Sequence, residues 1–344
     1  MPLPLTAPNG DSNATRPAFG VEIADSATRF TLTSGESPRT RRWRVRLPSP
    51  ATPAEATDTI ASLIERALRE EYAAAGTPTP PVALGVALED AVVESRTGVV
   101  HQLRRAPGWE DMAFAEQLGE RLAASVQLAS ATNAAAVAEA RIGAGRGIAG
   151  AAPVLYVLLA RTLTSAVVVG GRYLEGAHGA QGQLGHVLVR AGGPRCSCGV
   201  NGHLEPLASA QSLVRNLIGR ASASDESTEA MLRVSGGRAE AMTAAQVVQL
   251  AAEGEPVARR VLDEALDGLA PVLTTQLITL GPAILIVGGP LAAAGERFLA
   301  PLRERVTALC APSSTLAELR AGELEPFAAL LGARLLAAGD GILH

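Results

Sequence analysis

No lysine occurs anywhere in the 344 residues, so all thirty basic side chains are arginine. That excludes lysine Schiff-base chemistry and a phosphate-cradling lysine of the GxxxxGK[ST] kind. Cysteine is nearly as scarce: three residues, two of them as Cys196-Ser197-Cys198, do not make a secreted disulfide framework. A positive balance is missing too, since the formal charge is -4 and the pI about 5.8, which argues against a general nucleic-acid or membrane-surface binder. The one basic run, RTRRWRVR over Arg39 to Arg46, reads as an exposed alternating strand with Trp43, Val45 and Leu47 inward. No apolar stretch reaches the roughly 18 uninterrupted residues of a membrane helix, and the N-terminus lacks the basic-then-apolar layout of a signal peptide. The expectation is a cytoplasmic protein with no membrane partner and a loose, Pro/Asn/Ser/Thr-rich tail over residues 1–17.

What is present is a 47% hydrophobic chain, enough for two α/β domains with substantial cores. FGVEIA, RFTLTS and RRWRVRL read as strands with turn signals between them, and residues 54–75 place Ile60, Leu63, Ile64 and Leu68 at helical spacing before a GTPTPP turn. VALGVAL suits a sheet interior, and AFAEQLGERLAASV, SVQLAS and NAAAVAEARIGA continue as helix, strand and helix. A second round opens with PVLYVLLA and the hairpin TSAVVVGGRYLEG, turning at Gly170-Gly171. Two rounds, each opening with hairpins, imply a duplicated α/β architecture with largely parallel sheets. Ala208 to Glu264 is mostly helical, ALDGLAPVLTTQLITL is a long helix, AILIVGGPL a buried strand, and EPFAALLGARLLAAG a closing helix.

The most specific chemistry lies in GHVLVRAGGPRCSCGVNGHLE. His186, Cys196, Cys198 and His203 fall within eighteen positions, two of them in Cys-x-Cys and spaced by glycines, and such a set can close a tetrahedral N2S2 shell around zinc. Four protein ligands leave no open position for water, so the reading is structural zinc; free thiols and surface histidines are the alternative. Cys310 follows Val306 and Leu309 in a helical pattern and reads as core, while His101 and His178 have no partner that sequence identifies.

GAHGAQGQLGH followed by CSCGVNGHLE resembles the signature of the ROK family (repressors, open reading frames and kinases), approximately G-x-x-G-x-A-G-E-x-G-H, a glycine-rich spacer and C-x-C-G-x-x-G-C-x-E. His203 stands where the family has its third cysteine. GVEIADSATRFTLT is similar to the family's first phosphate strand, APGWEDMAFAEQL to its GW loop, and GPAILIVGGPLAAAGERFLAPL to its GG strand and helix. The resemblance implies the two-lobed, actin-like ATPase or ribonuclease H-like α/β fold. The lobes would be 18–128, joined by the C-terminal helix 326–344, and 129–325 with the zinc loop at 186–205.

By the same resemblance, sugar contacts fall on Ser130, Gln183, His186 and Glu205, and the nucleotide would meet Gly288 and Gly289. The departures are concentrated where phosphate is handled. The first phosphate strand, approximately G-x-D-x-G-G-T in active kinases, here carries Glu22, Ala24, Asp25 and Ser26. The second, approximately G-T-G-I-G-x-G, is Ala160, Arg161, Thr162, Leu163, Thr164, Ser165 and Ala166, so side chains stand where glycines let backbone approach phosphate. The family's N-D-A-N-A-A-A-L-A-E is Ser130 to Glu139 here, and its proton-accepting aspartate is Ala131, which cannot accept a proton. Glu139, about two helical turns further on, and Asp25, in the phosphate strand, are candidate substitutes.

The resulting expectation is a non-catalytic, sugar-sensing or regulatory member of the family, with ATP and Mg(2+) binding unlikely; the alternative is a divergent, glucokinase-like ATP:hexose phosphotransferase. The family's transcriptional regulators bind sugar without phosphorylating it, but they carry a DNA-binding segment of roughly seventy to eighty residues before the first strand, and only 1–17 precede it here, so no direct nucleic-acid binding is expected. A small sugar or sugar derivative is the expected partner, and a homodimer or homotetramer the expected assembly.

Overall fold

The computed structural model describes residues 18–24, 27–33, 41–45, 52–72, 82–103, 108–148, 152–310, 317–338 and 342–343. The 1–17 tail, Asp25, Ser26 and the GTPTPP turn lie outside them, as do the side chains of the RTRRWRVR run.

The chain opens with strands β1 (Ala18–Ala24), β2 (Ala27–Thr33) and β3 (Arg41–Val45), then helix α1 (Pro53–Tyr72). Strand β4 (Ala83–Leu88) leads to a hairpin of β5 (Ala91–Glu94) and β6 (Val99–Leu103), helix α2 (Phe114–Leu122), strand β7 (Ser125–Ser130) and helix α3 (Ala131–Ile142). The first sheet has the order β3-β2-β1-β4-β7, with β1 antiparallel to β2 and parallel to β4, and β4 parallel to β7. The pattern then recurs. Strands β8 (Val154–Leu159), β9 (Leu163–Val169) and β10 (Arg172–Leu174) form a meander, and a loop leads to the helical block α4 (Glu205–Ala208), α5 (Ala210–Ala221), α6 (Asp225–Val234), α7 (Ala244–Ala252) and α8 (Pro256–Leu280). Strand β11 (Ile284–Gly288), helix α9 (Glu296–Leu309), strand β12 (Glu318–Ala321), helix α10 (Ala328–Ala337) and the short strand β13 (Ile342–Leu343) complete it. The second sheet runs β12-β11-β8-β9-β10-β13.

Alternation along the buried strands explains how the layers stack, because successive side chains leave opposite faces. Phe19, Val21 and Ile23 of β1, with Leu84, Val86 and Leu88 of β4, pack with Ile60 and Ile64 of α1 and Phe114 and Leu118 of α2. On the opposite face stand Gly20 and Gly85, where a Cβ would lie 2.5 Å from Leu330 O and 1.8 Å from Ala333 O. Helix α10 therefore lies with its backbone nearly on the sheet. In the second sheet, Leu155 and Val157 of β8 and Leu285 and Val287 of β11 join the core under the helical block, whereas Tyr156, Ile284 and Ile286 face the middle cluster with α3 and α10. The order is helices, sheet, α3 with α10, sheet, helices.

Two features depart from the sequence reading. The β5–β6 hairpin gives no clear sequence signal, because its strands are four and five residues with a register shift between Val92 and Val93. The C-terminal segment is also divided: α10 packs against β1, β4 and β7, but β13 pairs with β10 at the edge of the second sheet. A helix alone cannot describe 326–344.

Candidate functional site

Between the two sheets, the β4–β5 turn, the N-terminus of α3, the β8–β9 turn and the loop after β10 converge on two adjoining cavities of about 660 and 60 Å³. Gln183, His186 and Glu205 line the larger, Ser130, Ala131 and Gln183 the smaller, and Asp90, Thr162 and Thr164 border both. The four residues expected at sugar-contact positions thus share one cleft. His178 is exposed and lines neither cavity.

At the floor, Ser130 Oγ accepts the Asn133 amide at 3.2 Å as the N-cap of α3, a role its residue type favours. Ala131 follows at the first helical position, 7% exposed, and presents a methyl group to the small cavity. Next to it, the Thr132 and Thr164 hydroxyls hydrogen-bond at 2.7 Å across the cleft. Glu139 does not replace the absent carboxylate. It is fully buried, and its oxygens accept the amides of Ala144 (2.9 Å), Glu323 (3.1 Å) and Leu324 (2.8 Å), which spends its capacity on tying α3 to the approach of α10.

Asp90 and Arg161 form the feature that sequence reasoning missed. Asp90 sits in the left-handed region at φ 53°, a turn conformation that aspartate tolerates better than most side chains. Its side chain is 4% exposed and pairs with the Arg161 guanidinium, while Thr162 Oγ1 donates to it at 2.8 Å. The pair joins the β4–β5 turn to the β8–β9 turn. A second tie lies beside it: Ser95 of the hairpin donates its amide to Glu175 at 2.6 Å and accepts from the Tyr173 hydroxyl. Only two acidic residues in succession, Glu89-Asp90, and an arginine where a glycine-rich turn is expected could have signalled the pair.

Gly288 and Gly289 lie elsewhere. A Cβ on Gly288 would meet the Tyr156 hydroxyl at 2.1 Å, and the Gly289 amide donates to Glu325 at 3.1 Å, so these glycines serve close packing around β8 and β11 and line neither cavity.

On the opposite wall, Nδ1 of His186 and of His203 lie 3.4 Å apart, Cys196 Sγ is 3.6 Å from His186 Nδ1, and Cys198 Sγ is 3.2 Å from His203 Nδ1. All four ligand atoms lie within 4.8 Å of one another. A tetrahedral ion with metal–nitrogen and metal–sulfur bonds of about 2.0 and 2.3 Å spaces its ligands roughly 3.3 to 3.8 Å apart, so the donor types and the three close pairs fit such a cation, with the widest separation closing by about 1 Å on binding. Gly202, at φ 87°, makes the approach possible: a Cβ there would meet Arg190 O at 1.9 Å. Burial raises the Cys196 thiol above its usual pKa, a penalty that cation binding offsets.

The model of the ROK family matches residues 18–340. The glucokinase of Thermotoga maritima is 30% identical over 259 residues, covering 75% of this chain and 79% of that protein. Among solved structures, a ROK family glucokinase from Streptomyces griseus, in complex with glucose and AMPPNP, superposes with a TM-score of 0.74 at 25% identity, covering 94% of this chain and all of the other. A ROK family transcriptional regulator homologous to the Escherichia coli MLC protein reaches 0.77 at 21% identity over 94% of this chain and 78% of its own, a likeness of fold.

Proposed function

Because this chain belongs to the ROK family, we propose that its interlobe cleft binds a hexose-class sugar and that it does so without efficient phosphoryl transfer. The sugar half rests on Ser130, Gln183, His186 and Glu205 facing one cleft, and on Gln181, whose buried Oε1 has no donor among the described residues and is suited to a sugar hydroxyl. One observation carries the second half: a methyl group stands at position 131, and two candidate carboxylates are spent, Glu139 on backbone amides and Asp90 on Arg161. Loss of a general base alone costs about 10² to 10⁴ in rate.

The comparisons favour the other reading. The T. maritima relative is a glucokinase and the S. griseus structure holds AMPPNP, which supports an ATP-dependent hexose kinase and weighs against the expectation that ATP is unlikely to bind. Nothing in the comparisons favours a regulatory role over catalysis, so the non-catalytic reading stands on site chemistry alone. We also infer that His186, Cys196, Cys198 and His203 hold a structural zinc ion, which orders the loop carrying His186 and Glu205 at the cleft wall.

Calorimetric titration with glucose and other hexoses, each with and without ATP-Mg, and a coupled ADP-release assay separate the readings. The expected outcome is hexose binding with turnover well under the roughly 1 s⁻¹ at which such kinases begin. Turnover above that value makes the protein a hexose kinase.

A further inference from the structure

Arginine, not glycine, characterises the larger cavity. Arg161 reaches it from the β8–β9 turn, Arg195 from the metal loop and Arg215 from α5, three cations on three separate elements, against two carboxylates, Asp90 and Glu205. Both carboxylates are engaged. Asp90 holds Arg161 and Thr162, and Glu205 Oε1 accepts from Ser197 Oγ at 3.3 Å and faces Cys196 Sγ at 3.9 Å. Among the described residues, Arg195 and Arg215 lie within ion-pair distance of no carboxylate. Arg215 is nevertheless held in place: its Nη2 donates to Ser212 Oγ at 3.2 Å, and Ser212 Oγ in turn accepts from Ser209 Oγ at 2.8 Å.

Ser209 and Ser212 are buried side chains at the start of the twelve-residue helix α5, where Ser209 Oγ caps the Ser212 amide at 3.1 Å. Both line the same cavity. The positive end of a helix, two hydroxyls and two guanidiniums without carboxylates therefore line the same cavity as Gln183, His186 and Glu205. A neutral hexose can offer this set hydroxyl acceptors but no charge to match its guanidiniums.

We propose that the ligand of this cleft is an anionic sugar, a hexose derivative whose carboxylate or phosphate is read by Arg195 of the loop and Arg215 of α5. The inference rests on the sugar-site reading and adds the charge of the ligand to it. Planar, bidentate guanidinium donors recognise both oxyanions, so the shared chemistry is a negative charge displaced from the sugar ring. Attraction of this kind weakens with ionic strength because the mouth of the cleft is open to solvent.

Binding of glucose, glucuronate, glucose 6-phosphate and inorganic phosphate is measured by calorimetry to the full chain and to its Arg195→Gln and Arg215→Gln variants. Both arginines are exposed, so the variants retain the fold. The expected result is that one or both anionic sugars bind at least about tenfold tighter than glucose, the worth of one charge-assisted hydrogen bond. Glucuronate against glucose 6-phosphate identifies which oxyanion is preferred. Each arginine variant then loses about tenfold for the anionic sugar and nothing for glucose, and added salt erodes the preference. Glucose binding as tightly as its anionic derivatives, or variants that weaken both equally, overturns this inference and leaves the sugar site standing. If no sugar binds at all, the sugar-site reading fails and this inference with it.

Discussion

At the scale of single residues, the His/Cys cluster and the Asp90–Arg161 pair show which chemistry a sequence exposes. His186, Cys196, Cys198 and His203 are legible because one loop carries all four and their types have few other uses together. Asp90 and Arg161 are 71 positions apart and of ordinary type, so nothing local announces that they meet. The proposed sugar-contact positions are legible only through family resemblance. Two outcomes test this scale. Metal analysis of the purified protein should give about one zinc per chain, with His203→Ala and Cys198→Ser each losing most of it; unchanged content in both would refute the site. Because a structural ion contributes folding energy, chelation should also lower the Tm. Gly332→Ala tests packing in the middle layer, since its Cβ would lie 1.7 Å from Ala134 O on α3. Backbone cannot yield as a side chain does, and a loss of about 2 kcal/mol or more is expected in urea denaturation.

At the scale of elements, caps and short strands decide where prediction from pattern stops. Long helices such as α1 and α8 announce themselves by apolar spacing, but the β5–β6 hairpin is short, half-exposed and bulged, and its alternation is broken between Val92 and Val93. His101 on β6 is tied to that hairpin: its Nδ1 lies 2.7 Å from Asp111 and its Nε2 3.5 Å from Glu94. The hydrogen bond to Asp111 raises the His101 pKa, burial opposes it, and Glu94 adds to the rise. A raised folded-state value means the stabilisation is complete below the unfolded pKa of about 6.5 and disappears as pH climbs through the folded value. His101→Gln should therefore cost more stability at pH 5.5 than at pH 8.5, and equal costs would remove the charge from the account. Glu255 has the opposite sign. Burial opposes its ionisation, but the Ser227 hydroxyl and the Ala258 and Val257 amides at the start of α8 overcome that and lower its pKa. Its contribution is present above the unfolded value near 4.5 and is lost as acid titrates it, and Glu255→Ala should cost about 1 kcal/mol at neutral pH and less at pH 3.5.

For the whole molecule, what matters is how two repeats are fastened across one cleft. The duplication is visible in the sequence as two strand-rich openings followed by helix and strand, because each round must bury a sheet on both faces. How the rounds are joined is not visible, since the joints are single contacts between distant segments: Glu139 to the approach of α10, Tyr173 and Glu175 to Ser95, and Asp90 to Arg161 and Thr162. The last of these lies where the two cavities adjoin. With the Asp90 side chain 4% and the Arg161 side chain 19% exposed, removal of one partner strands a poorly hydrated charge, whereas removal of both does not. Asp90→Ala alone is therefore expected to lower unfolding free energy by about 2 to 4 kcal/mol, and Arg161→Ala by a smaller amount because Thr162 still serves Asp90. The double variant should lose well under the sum of the two single losses, with a coupling of about 1 kcal/mol or more. Hydrogen exchange should speed up in the β5–β6 hairpin of either single variant before it changes in β8 or β11, because the hairpin is what the pair fastens. Strictly additive losses, or exchange that accelerates evenly through both sheets, would mean that the lobes are held together by the α3 and α10 layer and that the ion pair only occupies the cleft.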